Sequence, residues 1–277
     1  MPLRWNEKTE EVRSRPFARL DHFQLALCAV CIFTALVFLL GASSPASALP
    51  AQEGSGGETV QFDSGGVSIS GYLAKPGGGG KHPAVLLVHD NAGLTDGVRD
   101  IARQFAAEGF ITLAPDLLSR AGGTKNPQQA QAAVAQLNPQ DTVQDLRAGY
   151  DYLQKNPDVE GGKISAVGLG WGGWRAYMLA ARAADLYRVV VYCGVTPNDG
   201  LENIKAPVMA NYAQFDFRVT GNAIHTENTL KEMGKKFTYY VYPNTDRAFY
   251  VSANPRYDGA AAKQAWSRTL EFLRSNS

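Results

Sequence analysis

Short apolar runs alternate along this chain with longer segments whose apolar residues recur at helical spacing. The run at 84–88 is uninterrupted, as is typical of a strand buried on both faces of a sheet, whereas 96–108 has the periodicity of an amphipathic helix. Further strands are predicted at 111–114, 164–167, 189–192, 208–212 and 237–242, and further helices at 139–155, 174–184, 224–233 and 260–274. This alternation predicts an α/β fold with a mainly parallel central sheet and helices on both faces.

Two additional strands are predicted ahead of this alternation. Segments 59–62 and 67–74 are apolar or alternating and flank the turn sequence Ser64-Gly65-Gly66. Strand segments joined by so short a glycine-rich turn are typical of an antiparallel pair. We therefore expect an N-terminal β-hairpin at one edge of the sheet.

The N-terminal segment has the pattern of an export signal. Basic residues precede an uncharged apolar run at 23–42, and Ala46-Ser47-Ala48 then provides a small-x-small cleavage site. This pattern predicts a secretory signal peptide at 1–48, a flexible tether at 49–57, and one domain at 58–277 in the periplasm or outside the cell. The alternative is an uncleaved anchor, since the run is nearly long enough to span a bilayer, and only then do we expect membrane contact.

Composition excludes several classes of partner. Beyond residue 48 the basic and acidic residues are equal in number, so the domain is near neutral and nothing favours nucleic acid as a partner. Cys193 is the only cysteine after residue 48, so no intrachain disulfide is expected. No cluster of histidine, cysteine and aspartate has metal-ligand spacing, and we expect neither a metal nor an organic cofactor.

The most informative motif is Val167-Gly168-Leu169-Gly170-Trp171-Gly172-Gly173, between a predicted strand and a predicted helix. A strand, a sharp Gly-x-nucleophile-x-Gly turn and a helix form the nucleophile elbow, which presents a serine or cysteine at the top of a parallel sheet. Here the nucleophile position is Gly170, which has no side chain. The motif therefore predicts the strand–turn–helix arrangement of the elbow, but without the nucleophile on which its usual chemistry depends.

Further motifs in the same order and spacing establish a family resemblance. They are Leu87-Val88-His89-Asp90-Asn91-Ala92-Gly93, Ala114-Pro115-Asp116-Leu117-Leu118-Ser119-Arg120, the elbow, and the regions around Asp216 and Tyr242-Pro243. Together they resemble the dienelactone hydrolase family of α/β-hydrolases over residues 58–275. The resemblance implies the α/β-hydrolase fold and a Cys-His-Asp triad, which supports ester and lactone hydrolysis.

In this sequence the triad positions fall on Gly170, Asp216 and Arg247. Acyl transfer needs a nucleophile, a base and an orienting carboxylate, but glycine offers no nucleophile and arginine stays protonated near neutral pH. Asp216 alone keeps a competent residue. His89 and Cys193 are interpreted as buried structural groups rather than as substitutes.

The same comparison implies a pocket around the elbow. Arg247 is expected near Asp216, where it can form an ion pair, and the resemblance places Arg120 where the family holds a substrate carboxylate. Asp90 can balance one of these charges, and the Trp171 backbone N–H faces an oxyanion position. Such a pocket either binds a small anionic or ester-like ligand or forms a closed, self-neutralised cluster.

We therefore predict an exported, triad-deficient protein that binds a small molecule rather than hydrolysing it. The alternative is an active carboxylic-ester or lactone hydrolase of the same family. A third reading is a dinucleotide-binding protein, because residues 168–173 also fit Gly-x-Gly-x-x-Gly. That fingerprint belongs to the first βα unit, and no acidic residue ends the next predicted strand, so we do not favour it.

Overall fold

The computed structural model describes residues 56–183 and 185–276. The predicted signal segment 1–48 and most of the predicted tether 49–57 lie outside the described residues, so both remain predictions. The first strand begins at Gly57, at the end of that tether.

Within the described residues, the centre of the domain is an eight-stranded sheet in the order β1-β2-β4-β3-β5-β6-β7-β8. Its strands are β1 (Gly57–Ser64), β2 (Val67–Ala74), β3 (His82–Val88), β4 (Ile111–Pro115), β5 (Val159–Leu169), β6 (Val189–Tyr192), β7 (Val208–Ala213) and β8 (Phe237–Tyr242). β1 pairs antiparallel with β2, and β2 with β4, while all other neighbouring pairs are parallel. The predicted hairpin and the mainly parallel sheet are confirmed.

Helices cover both faces of this sheet. They are α1 (Asp96–Ala107), α2 (Pro127–Val134), α3 (Pro139–Gln154), α4 (Trp171–Ala180), α5 (Phe217–Thr220), α6 (Ala223–Glu232) and α7 (Gly259–Arg274). Successive residues of β3 divide between two apolar cores: Leu86 belongs to the core under α3, α4 and α6, and Leu87 to the core under α1 and α7. This division explains why the strand is apolar without interruption.

Three helices differ from the prediction: α4 has other bounds, and neither α2 nor the single turn α5 was predicted. α4 begins at Trp171 rather than at 174, because Gly170 takes the N-cap position and the helix starts directly after the elbow. α2 was not predicted, although its local signals are present. The side chain of Asn126 accepts a hydrogen bond from the backbone N–H of Gln129 (2.9 Å), and Pro127 occupies the first helical position.

None of the helices in the described ranges combines the length and the apolar character that crossing a bilayer requires. The α3 helix begins at Pro139 as predicted, and the side chain of its N-cap Asn138 accepts a hydrogen bond from the backbone N–H of Gln140 (2.9 Å). The elements that carry the elbow, β5 and α4, thus lie at the centre of one continuous domain.

Candidate functional site

The elbow backbone is present, and its central residue is glycine. Gly170 has φ 51° and ψ −109°, a conformation that residues with side chains rarely adopt. A Cβ atom built on Gly170 would lie 3.3 Å from Cβ of Asp90, 3.7 Å from Nη2 of Arg247 and 3.9 Å from Oη of Tyr250. The Cβ position at Gly170 therefore faces the guanidinium group of Arg247.

Neighbouring glycines let the elbow pack closely against the sheet. A Cβ atom at Gly168 would lie 2.6 Å from the carbonyl oxygen of Gly172, and one at Gly172 would lie 2.5 Å from that of His89. One at Gly173 would lie 2.7 Å from Cα of Gly194. Close packing thus accounts for the Gly-x-Gly-x-x-Gly pattern, which here follows the fifth strand rather than opening the first βα unit.

Asp216 follows β7 and is buried, and its Oδ2 atom has no hydrogen-bond partner. The expected ion pair with Arg247 does not form, and among the described residues no carboxylate lies within salt-bridge distance of Arg247. The reason is geometric: the guanidinium of Arg247 extends toward the Gly170 position instead. Asp216, at the acid position, thus keeps a carboxylate oxygen that accepts no hydrogen bond from the described residues.

His89 is a structural residue. It is fully buried, its Nε2 accepts a hydrogen bond from the backbone N–H of Leu117 (3.1 Å), and its Nδ1–H donates to the carbonyl of Asp90 (2.6 Å). Burial lowers the pKa of His89, which keeps the ring neutral. Both ring nitrogens are engaged within the fold, so His89 cannot replace the missing base.

Cys193 follows β6 and is also buried, with an unusual φ of 47°. Burial raises the pKa of its thiol to about 12, so the thiolate is not populated at neutral pH. The expectation that Cys193 is an inert structural thiol agrees with this environment.

A cavity of about 140 Å³ lies over Gly170. Its walls come from the loop after β3, the elbow and α4, and the segments after β6, β7 and β8. The lining residues are Asn91, Gly170, Trp171, Trp174, Arg175, Val195, Arg218 and Arg247. The structure therefore brings together three of the predicted site residues, and Asp90 lies beside them, with its Oδ1 accepting the backbone N–H of Ala92 (2.8 Å).

Arg120 is not part of this cavity, which corrects the expectation from the sequence. Its guanidinium donates to both carboxylate oxygens of Asp145 on α3, with a shortest distance of 2.7 Å, and to the carbonyl of Ser64. Asp145 is completely buried and forms a structural ion pair with Arg120. The residue that the resemblance assigned to substrate binding therefore joins α3 to the hairpin.

Arg175 is the functional candidate that sequence reasoning missed. Only 7% of the residue is exposed, and its Nη1 donates to the carbonyl of Trp171 (3.2 Å). Its guanidinium carbon lies 3.1 Å from the centroid of the Trp171 ring, while Nε is buried without a hydrogen-bond partner. Burial lowers the pKa of Arg175 to about 9, so it remains protonated at neutral pH. The sequence could have indicated this residue, because Arg175 is the only charged residue in α4.

Three arginines thus line one small cavity: Arg175, Arg218 and Arg247. None has a carboxylate within salt-bridge distance among residues 56–183 and 185–276. Positive charge without an ion-pair partner around a partly desolvated space favours an anion there, since the interaction is weakly screened.

No three histidine, cysteine or acidic side chains of the described ranges come together in a way that would hold a metal ion. The side chains that line the cavity contribute guanidinium groups, indole rings and the amide of Asn91, and the backbone N–H groups that begin α4 lie beside them. These groups can bind and orient negative charge.

Comparisons with known proteins agree with this architecture. Relatives in Methylorubrum extorquens and Salmonella typhi, both named "Putative carboxymethylenebutenolidase", are 28% and 27% identical over 225 residues. These alignments cover 74% and 75% of this chain and 76% and 83% of the relatives.

Solved structures match as well. That of a "Putative Dienelactone Hydrolase" from Klebsiella pneumoniae has a TM-score of 0.72 at 23% identity and covers 78% of this chain and 97% of its own. Dienelactone hydrolase from Anabaena variabilis has a TM-score of 0.61 at 21% identity and covers 79% of this chain and 97% of its own. These likenesses show the fold. The profile of the dienelactone hydrolase family matches residues 69–277, and the chain accordingly belongs to that family.

Proposed function

We propose that this protein is an exported, non-hydrolytic member of its family that binds a small anionic molecule in the cavity over Gly170. The observation that carries the proposal is Arg175, a buried and protonated guanidinium without a carboxylate partner in the wall of that cavity. A buried charge is costly unless it is paired, and a bound anion supplies the missing partner.

Two positions of the triad support a non-hydrolytic role. Gly170 keeps the elbow conformation without a nucleophilic side chain, and Arg247 stands where a base is needed. Arginine does not lose its proton at neutral pH, so the pair cannot carry out acyl transfer. Loss of both groups in one triad is coherent with a change of role from catalysis to binding.

The cavity volume limits the ligand. About 140 Å³ is the space that roughly five water molecules occupy in the liquid, which suits a carboxylate of few carbon atoms. A polar groove of about 370 Å³ adjoins the cavity and shares Val195 and Arg218 with it. Threonine and asparagine side chains, among them Thr196 and Asn222, line that groove and offer hydrogen bonds to a hydroxylated extension.

Calorimetric titration with succinate, acetate and the neutral diamide succinamide tests the proposal. We expect succinate to bind with a Kd below ~1 mM, and at least about tenfold more tightly than succinamide, because only the anion pairs with the arginines. Acetate is expected to bind less tightly than succinate. Raising the salt concentration should weaken succinate binding without affecting succinamide.

The same preparation serves to test the alternative, an active hydrolase, which the names of the relatives favour. Aryl esters and enol-lactones are expected to be hydrolysed at the background rate, with no acyl adduct in the mass spectrum. Saturable turnover with a stoichiometric acyl-protein would refute the non-hydrolytic role. Equal affinity for succinate and succinamide would refute anion binding.

Export is a separate part of the proposal and rests on the sequence of residues 1–48. The apolar run and the Ala46-Ser47-Ala48 site motivate it. N-terminal sequencing of the protein from its native host is expected to begin near Leu49, in the periplasmic or extracellular fraction. Recovery of membrane-bound protein with residues 1–48 intact would instead identify an anchor.

A further inference from the structure

A second cavity lies on the opposite face of the sheet from α4. It occupies about 200 Å³ between α1, α7 and the segment 250–257. By comparison, voids in the packed interior of a protein are seldom larger than one water molecule. It shares no lining residue with the cavity over Gly170. The space is therefore a distinct, preformed feature of the domain.

The walls of this cavity are mainly aromatic and aliphatic. Five aromatic rings contribute, from α1, β6, the segment 250–257 and α7: Phe105, Tyr192, Tyr250, Tyr257 and Trp266. Phe105 and Trp266 also contact each other, with ring centroids 4.4 Å apart. An apolar lining with few polar groups at the opening is typical of sites for small organic molecules, and aromatic walls favour a flat ring.

The opening of this cavity carries one available charge. Asp100 and Lys263 are both exposed lining residues, but the carboxylate of Asp100 pairs with Arg103 on the same helix. The ammonium group of Lys263 has no carboxylate within salt-bridge distance among the described residues. A negative substituent on a ring in the cavity would find its partner there.

We propose that this second cavity, the α1–α7 cavity, binds a small aromatic carboxylate. The ring lies among the aromatic side chains of the lining, and the carboxylate lies at the opening beside Lys263. The volume admits one ring or two fused rings, since an apolar cavity of roughly 150 Å³ accepts benzene. The site shares no lining residue with the cavity over Gly170, and Tyr250, whose Oη lies 3.9 Å from the Cβ position at Gly170, separates the two.

The test uses 2-naphthoate as the probe, with cyclohexanecarboxylate as a non-aromatic control. We expect 2-naphthoate to bind with one-to-one stoichiometry in calorimetry, and at least about tenfold more tightly than cyclohexanecarboxylate. Ala262 on α7 lines the cavity, so Ala262→Leu fills it and should weaken 2-naphthoate binding by about tenfold or more. Ala260→Leu adds the same atoms at an exposed position outside the lining and should leave the affinity unchanged.

Lys263→Gln should weaken binding of 2-naphthoate by about three- to tenfold while leaving the neutral 2-naphthalenemethanol unaffected, because only the carboxylate uses the ammonium group. Arg175→Met separates this site from the other cavity, because 2-naphthoate affinity should survive it. Absence of binding in the wild type, unchanged affinity in Ala262→Leu, or loss of affinity in Arg175→Met would each overturn the proposal.

Hydrogen exchange of the wild type gives a readout that does not depend on whether a variant folds. Saturation with 2-naphthoate is expected to protect backbone amides of α7 and of 250–257. Protection confined to α4 and the segment after β8 up to Arg247 would assign the probe to the cavity over Gly170 and would contradict a site between α1 and α7.

Discussion

Replacement of Arg175 by methionine is expected to stabilise the ligand-free protein and to abolish its binding of succinate. The side chain is buried without a carboxylate partner, so the desolvation of its charge is offset only by its contacts with the carbonyl and the ring of Trp171. Replacing buried ionic groups by apolar ones is often stabilising by roughly 1–4 kcal/mol, and loss of the contact with Trp171 offsets about 1–2 kcal/mol. We expect the free energy of unfolding to rise by about 1–2 kcal/mol at pH 7, or Tm by roughly 3–6 °C.

The pH dependence identifies the cause of this stabilisation. Burial sets the folded-state pKa of Arg175 near 9, below its value in the unfolded chain. Between these two values the unfolded chain binds more protons, so the wild type gains stability from this group as the pH rises through about 9. The advantage of Arg175→Met over the wild type should therefore be complete below pH 9 and shrink above it, as urea denaturation at several pH values would measure.

Arg182→Met is the matched control, since Arg182 is exposed just beyond the end of α4 and its side chain donates to the carbonyl of Met178 (3.4 Å). It removes the same charge and should change the free energy of unfolding by less than about 0.5 kcal/mol while retaining succinate binding. If Arg175→Met is less stable than the wild type and still binds succinate, the guanidinium is not the anion-binding group.

The architecture was predictable because it follows from local patterns. Continuous apolar runs gave the buried strands, and Asn138 followed by Pro139 gave the start of α3. The elbow was recognisable because its glycines satisfy a local packing requirement, the close approach of α4 to the strands beneath it. α2 was not predicted because alanines and a single valine, Val134, are too little apolar surface to form a clear amphipathic stripe after the N-cap Asn126.

The charges of the site were harder to assign, because an arginine side chain reaches partners that are distant in sequence. Arg120 was expected in the pocket, but buried Asp145 on another element pairs with it. Arg175 went unnoticed because burial of a helix face is decided by tertiary packing rather than by the order of residues. The α1–α7 cavity could not be inferred at all, since its walls come from segments that meet only in the folded chain.

The double substitution Gly170→Cys with Arg247→His is expected to create a thiol hydrolase. A Cβ atom at Gly170 meets no atom closer than 3.3 Å, and the side chain of residue 247 already approaches that position. The unpartnered Oδ2 of Asp216 is available to accept the N–H of a histidine and to orient it. Aryl-ester hydrolysis by the double mutant should exceed that of the wild type by about 10²-fold or more, whereas each single mutant should gain less than about tenfold.

The free energy of unfolding of the double mutant should be lower than that of the wild type, because cysteine at the φ of Gly170 introduces backbone strain of about 1–3 kcal/mol. Alkylation by iodoacetamide at pH 7 provides a second readout. The thiol of Cys193 is buried with its pKa raised to about 12, so Cys193 should resist alkylation while the double mutant is labelled at position 170.

Asp216→Asn in the double-mutant background is the decisive control, because it keeps the shape of the acid and removes its charge. The gained activity should fall to nearly that of Gly170→Cys alone, since histidine then loses the carboxylate that fixes its tautomer and stabilises its protonated form. A double mutant that folds and is labelled at position 170, but is indifferent to Asp216→Asn, would mean that Asp216 is not the acid of this elbow. A folded double mutant with neither labelling nor hydrolysis would mean that Gly170 and Arg247 are not the nucleophile and base positions.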